Sequence, residues 1–441
     1  MLNFFDRLAI AGLVASLGIG VNLSTPTNLM SQEPPVSVDD HEGHDHEGHD
    51  HEGRDHDGPG DDPLEASMPE GSDPITPEQR VAIEAFTQAR SNWADTMVEM
   101  KAQQIVYNND ISERTEANQA NYRRLRDKAR QQMDEVFDTA LEVFRLRKGD
   151  FETGSMLVTT LQYRESTSIY ENSLEATEAM LETDLTFPFL YQMAARCSLL
   201  YGDSDKVMPY LQKFVELNGT EKLEKVDKMI ANIVAVYPDI WRREQEVRAA
   251  EAVADNLPRV LVETTRGNFT LELFEDQAPN MVANFITLVE SGYYDGSDFY
   301  QVVDDLIALG GDPVGDGTGT TGRYLPDEAD HPDARQFLRG HIAMAMVPQP
   351  NDKDKFIPNS ASSQFAIALM PLIRQDDKQT VFGRVIEGME VVSTLRRVDP
   401  TEKKETMIVM PPDRIITAKV IRKRDHAYEP RYVGMPGGMA E

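Results

Sequence analysis

The apolar positions of this chain change period once along its length. Between residues 75 and 255 they recur three and four apart, as at Met133, Val136, Phe137, Ala140, Leu141 and Phe144. That spacing stacks side chains on one face of an α-helix. Thr76-Pro77-Glu78-Gln79 reads as a helix start, with a capping hydroxyl, a proline at the first helical position and a glutamine that can reach back. Gly149-Asp150 and Gly202-Asp203 interrupt the helical pattern. After Asn256-Leu257-Pro258 the period shortens to two. Residues 260–274 predict two strands around a tight Gly267-Asn268 turn. Residues 299–303 predict a strand with Phe299, Gln301 and Val303 on one face and Tyr300 and Val302 on the other. Further strands are predicted at 340–347, 363–369, 380–386 and 414–423, with helices opening at Ala278-Pro279 and near Met389. Many short strands and two helices predict a closed antiparallel β-barrel capped by helices, following an all-α region.

Outside these two regions the periodicity disappears. Residues 8–23 are mostly apolar, too few for a spanning helix and suited to an export signal, so 1–23 is expected to be a signal peptide or an uncleaved membrane anchor. Residues 24–74 read as a disordered acidic linker and 426–441 as a flexible tail. Export to a periplasmic or other extracytoplasmic compartment follows from this reading. The linker holds a five-residue repeat that places His41, His44, His46, His49, His51 and His56 among carboxylates. Such a tract offers loose sites for zinc, nickel or copper, or serves only as a solvated spacer. The chain has 441 residues, with 44 basic and 75 acidic side chains and a formal charge of -31, which argues against non-specific nucleic-acid binding. Its one cysteine, Cys197, excludes an internal disulfide and reads as a small core residue.

In the helical region, residues 190–218 carry small residues at Ala194 and Ala195 and a turn at Gly202, and resemble one tetratricopeptide repeat. The resemblance implies a helical-repeat-like domain over 75–255, offering a face to a protein partner or merely spacing the next domain. The segment from 256 to 425 carries, in order, Asn284-Phe285, Phe299-Tyr300-Gln301, Gly310-Gly311-Asp312, Gly317-Thr318-Gly319, Pro326-Asp327-Glu328, Arg339-Gly340, Met344-Ala345, Gln364-Phe365 and Val381-Phe382-Gly383-Arg384. With this ordered set it resembles the cyclophilin-type peptidyl-prolyl isomerases.

The resemblance implies an eight-stranded barrel whose outer groove binds an X-Pro segment and speeds its cis/trans exchange, with no metal, nucleophile or cofactor required. The barrier is amide resonance, roughly 20 kcal/mol. A site lowers it with an apolar hollow for the ring, a donor aimed at the prolyl nitrogen and polar groups that grip the flanking backbone. In the family the donor is an arginine; here Gln301 takes that position, neutral and shorter. Gln364 is implied as the backbone-gripping residue. Phe299, Leu306, Ile307, Ala345, Met346, Phe365 and Ala366 are implied as the residues around the ring, with barrel packing as the alternative for Phe365. Leu309, Arg374, Gln375 and Gln379 also depart from the family pattern. Two functions follow: an isomerase of reduced activity acting on proline-containing clients during folding of exported proteins, or a module that holds extended or proline-containing segments without turnover.

Overall fold

The computed structural model describes residues 74–109, 112, 115–183, 187–349, 352–373, 379–398 and 411–437. The expected signal segment, the acidic linker and its histidines lie outside these residues, as do Arg374 and Gln375. By its contacts the chain divides into Met1–Ala85 and Phe86–Glu441. In the first, the expected helix start is present: Thr76 and Gln79 exchange backbone-to-side-chain hydrogen bonds of 3.0 and 3.2 Å at the head of helix α1, Pro77–Asn109.

Among the described residues seven further α-helices precede the sheet: α2 Glu116–Leu146, α3 Phe151–Ser166, α4 Leu174–Leu181, α5 Pro188–Leu200, α6 Ser204–Asn218, α7 Lys225–Ile233 and α8 Tyr237–Ala254. The predicted face of α2 is buried from Met133 through Phe144. The Gly149-Asp150 break works as read, because the Asp150 carboxylate accepts the Thr153 N–H at 3.0 Å and starts α3. Cys197 is buried in α5, where loss of solvent pushes its thiol up from the ordinary range.

Eight strands form one antiparallel sheet: β1 Arg259–Thr264, β2 Gly267–Leu273, β3 Gln301–Val303, β4 Ile307–Gly310, β5 His341–Met344, β8 Phe365–Ala368, β9 Val381–Glu387 and β10 Ile415–Arg422, in the order β10-β1-β2-β9-β5-β8-β4-β3. A separate hairpin pairs β6 Pro348–Gln349 with β7 Asp352–Phe356. The sheet is strongly curled but not closed by a full ladder. Its edges meet through the single bridge Asp298–Arg414 and the flanking bonds from Phe299 N–H to Asp413 C=O and from Ile415 N–H to Ser297 C=O. Helix α9, Pro279–Glu290, packs Val282, Phe285, Ile286 and Val289 into the core, and the short α10, Met389–Ser393, adds Val391 and Val392.

Two local expectations are corrected. The first hairpin turns at Thr265-Arg266, because Thr264 already pairs with Gly267. The Thr264 hydroxyl accepts the Arg266 N–H at 3.0 Å and donates to the Gly267 carbonyl at 2.7 Å, so a side chain builds the turn. Gly267, at φ +137, takes the backbone conformation that L-residues rarely adopt. The second correction concerns Phe299. The ladder starts only at Gln301, so alternation does not extend back to Phe299, which points into the core with Val302 rather than outward with Gln301.

Candidate functional site

The outer face of β4, β5 and β8 carries Ile307, Leu309, Ala343, Ala366 and Ala368. Leu309 pairs with Gln301 on one side and Ala366 on the other, and Ala366 pairs on with Ala343. The register therefore lines up a neutral amide, a leucine and two small alanines across neighbouring strands. Phe337 and Leu372 pack against this patch. The result is a shallow apolar floor with Gln301 at its edge, opening into a cavity of about 900 Å³.

Gln301, Gln364, Leu306, Ile307, Ala345, Met346 and Ala366 all line this one cavity. Gln379 borders it as well. Phe299 and Phe365 do not. They are 0% and 2% exposed, in edge-on contact at 6.5 Å beneath the sheet. The reading of these two rings as substrate contacts is corrected: they fill the core behind the groove, and the alternative of barrel packing holds for Phe365.

Gln364 is held more firmly than an open gripping group would be. Its side-chain carbonyl accepts the Tyr300 hydroxyl at 2.6 Å, and its amide nitrogen donates to the carbonyls of Gly317 and Gly319 at 3.1 and 2.7 Å. Burial, with the nearby Asp312 adding to it, pushes the Tyr300 phenol above its ordinary range, so it remains a donor. The glycine loop is fixed from the other side by Asp312. Its buried carboxylate accepts the N–H groups of Val314 and Asp316 at 2.9 and 3.0 Å and that of Gly317. Gly319 has no room for a side chain, since a Cβ there would stand 2.0 Å from an Asp312 oxygen. Asn284 donates to the Ser362 carbonyl at 2.9 Å, which fixes the chain just before Gln364.

The fourth side of the cavity is not part of the sheet. Helix α7 contributes Lys225, Met229, Asn232 and Ile233. Sequence reasoning missed these residues, as it missed Phe337 and Leu372. The available signal was Met229, a further apolar position beside the buried Val226, Ile230 and Ile233, which widens the stripe beyond the face the helix buries.

Residues 259–420 match the family model described as cyclophilin type peptidyl-prolyl cis-trans isomerase. A Neurospora crassa protein, peptidyl-prolyl cis-trans isomerase-like 1, is 38% identical over 169 residues, covering 38% of this chain and 96% of that protein. The mouse protein of the same name is 33% identical over 170 residues, covering 38% and 88%. A crystal structure of a cyclophilin type peptidyl-prolyl cis-trans isomerase from Cryptosporidium parvum is 28% identical, covers 38% of this chain and 99% of that one, and aligns with a TM-score of 0.32. The relatives correct the expectation of export. The proteins this chain resembles are isomerase-like 1 proteins of fungi and mammals. Separately, among the described residues, which do not include 1–73, no helix is long and apolar enough to cross a membrane.

Proposed function

This chain belongs to the family of cyclophilin-type peptidyl-prolyl cis-trans isomerases, and we propose that its groove turns over X-Pro bonds of polypeptide clients at a reduced rate. One observation carries the reading: the Gln301 amide borders the same hollow as Leu309, Ala366 and Phe337. A pyrrolidine ring resting on that floor brings its nitrogen towards the Gln301 N–H. Donation to the nitrogen favours the pyramidal geometry in which amide conjugation is lost, so the twisted state is bound better than either planar isomer. The hydrogen bond is neutral, and losing one preorganised donor typically costs about 100- to 1000-fold in rate. The Tyr300–Gln364–Gly319 chain of hydrogen bonds supports the reading by holding the rim of the groove still.

The test is a proline-isomerisation assay on the full chain. Wild-type kcat/KM is expected far below that of a typical cyclophilin, and Gln301→Arg is expected to raise it by at least about 10-fold. Wild-type activity within about 10-fold of a typical cyclophilin overturns the impaired-donor reading. A second reading, a groove that holds proline-containing segments without turnover, is favoured by the full engagement of the Gln364 amide hydrogens, which leaves the substrate backbone one fewer donor. Peptide binding without turnover, unrestored by Gln301→Arg, selects it.

A further inference from the structure

We propose that helix α7 is a working wall of the substrate groove, and that Met229 and Ile233 select polypeptides with a large apolar side chain next to the proline. This rests on the groove being the X-Pro site. Met229 and Ile233 are four residues apart, so they lie one above the other on a single helix face. That face lines the same cavity as Ile307 and Leu309 of the strand wall. A volume of about 900 Å³ is near the top of the range of about 300–1,000 Å³ that holds whole small ligands, which is more space than one pyrrolidine ring requires. The ring takes the floor formed by Ala366 and Phe337. The remaining volume lies between apolar walls, so it suits a neighbouring aliphatic or aromatic side chain. The methionine wall adapts to more than one such shape. Lys225 and Asn232, both exposed, leave the mouth polar, where the peptide backbone leaves for solvent.

The helix occupies a built position. Arg196 of α5 is fully buried and bridges the two sides of the groove. Its Nε donates to Asp227 of α7 at 2.9 Å, and one Nη donates to Asp305 at 3.1 Å. Asp305 lies in the turn that leads into Leu306 and Ile307, in the left-handed region at φ +51. The Tyr170 hydroxyl donates to the same carboxylate at 2.5 Å. The other Arg196 Nη donates to Glu224, the residue that caps α7, at 2.9 Å. One guanidinium therefore sets the distance between the helical wall and the strand wall. Arg196 and Asp305 are positioning residues, and Met229 and Ile233 are specificity-determining ones.

The experiment measures kcat/KM of the full chain on two sets of short peptides, varied to Leu, Phe, Ala or Glu before or after a single proline. Wild type is expected to prefer Leu and Phe over Ala in one of the sets. Met229→Ala and Ile233→Ala are each expected to reduce that preference by about 10-fold, through KM rather than kcat. Asp305→Asn, which keeps the shape of the turn, is expected to reduce it in part, with an unfolding midpoint recorded alongside. A preference unaltered in both alanine variants, or an equal loss on every peptide, overturns the proposal. Should the wild type turn over no peptide, the isomerase reading fails by itself. The same peptides, fluorescently labelled, then report the preference as binding, and an unaltered Leu-to-Ala ratio of affinities in the variants overturns the wall.

Discussion

At the scale of single residues, two polar side chains that shape the groove already have their partners within the fold. Gln364 anchors a loop, Asp312 gathers three backbone N–H groups, and Gln301 remains the amide at the edge of the apolar floor. His341 shows a different consequence of burial. Its Nδ1 donates to the Gln336 carbonyl at 2.7 Å, which leaves Nε2 to accept from Arg248 at 3.2 Å beside Glu244. Burial holds the ring below its ordinary value, against the pull of Glu244, and Arg248 and Arg335 push the same way as burial. Between that lowered value and about 6.5 the unfolded chain binds a proton that the folded chain refuses, so stability falls as pH falls through this window. The slope from this group is at most about 1.36 kcal/mol per pH unit. His341→Gln is expected to flatten the urea-unfolding stability profile between pH 7 and 5 relative to wild type. An unaltered profile would show the ring titrating normally.

At the scale of elements, the Arg196 cluster joins α5, α7 and the β3–β4 turn. Burial works against its charge, but the Asp305 and Asp227 carboxylates hold the guanidinium well above its ordinary value, so it remains a cation. Arg196→Met keeps much of the volume and leaves Asp227 and Asp305 buried without their cation. Breaking such a cluster from one side costs about 3–5 kcal/mol, measurable as a shift in the denaturant midpoint. A midpoint within error of wild type would show the cluster to be open to water. Much of the element order was legible in the chain. The Thr76–Gln79 cap, the α2 face and most of the predicted strands lie where period and capping chemistry put them. What was not legible depended on contacts far apart in sequence. The hairpin turned on a threonine hydroxyl instead of the Gly-Asn pair, Phe299 turned inward because the ladder began two residues later, and α7 reached a groove built far along the chain. Gln301 and Gln364 could be placed by motif, but the prior engagement of Gln364 by Gly317 and Gly319 is a product of the folded loop.

At the scale of the molecule, the residues of Phe86–Glu441 are joined by buried ion pairs between helices and sheet. Arg335 forks onto Glu244 at 2.7 and 2.9 Å and reaches Glu251 at 2.6 Å; Arg384 joins Glu251 to Glu272, at 2.7 Å on each side. Arg339 takes Glu171 and the Ser168 carbonyl at 2.9 Å, and Arg126 donates to the Thr265 carbonyl. Sliding the helices over the sheet would leave these charges buried without their partners. The full chain is therefore expected to unfold in one transition. Fluorescence of Trp93 and Trp241, both in helices, should follow the same curve as amide exchange in the strands. Two separated transitions would show that the ion pairs do not couple the parts.

Those pairs also have an order in time. Synthesis runs from the amino end, and helices α1 to α8 leave the ribosome before any strand of the sheet. Glu171 and Glu251 are then complete, and Glu244 has only Arg248 of its own helix, while Arg335, Arg339 and Arg384 have not yet been made. The nascent helical half carries carboxylates still short of their final partners, which mark where the later segments must settle. The curled sheet, emerging after these helices, assembles against a template its own chain has already laid down.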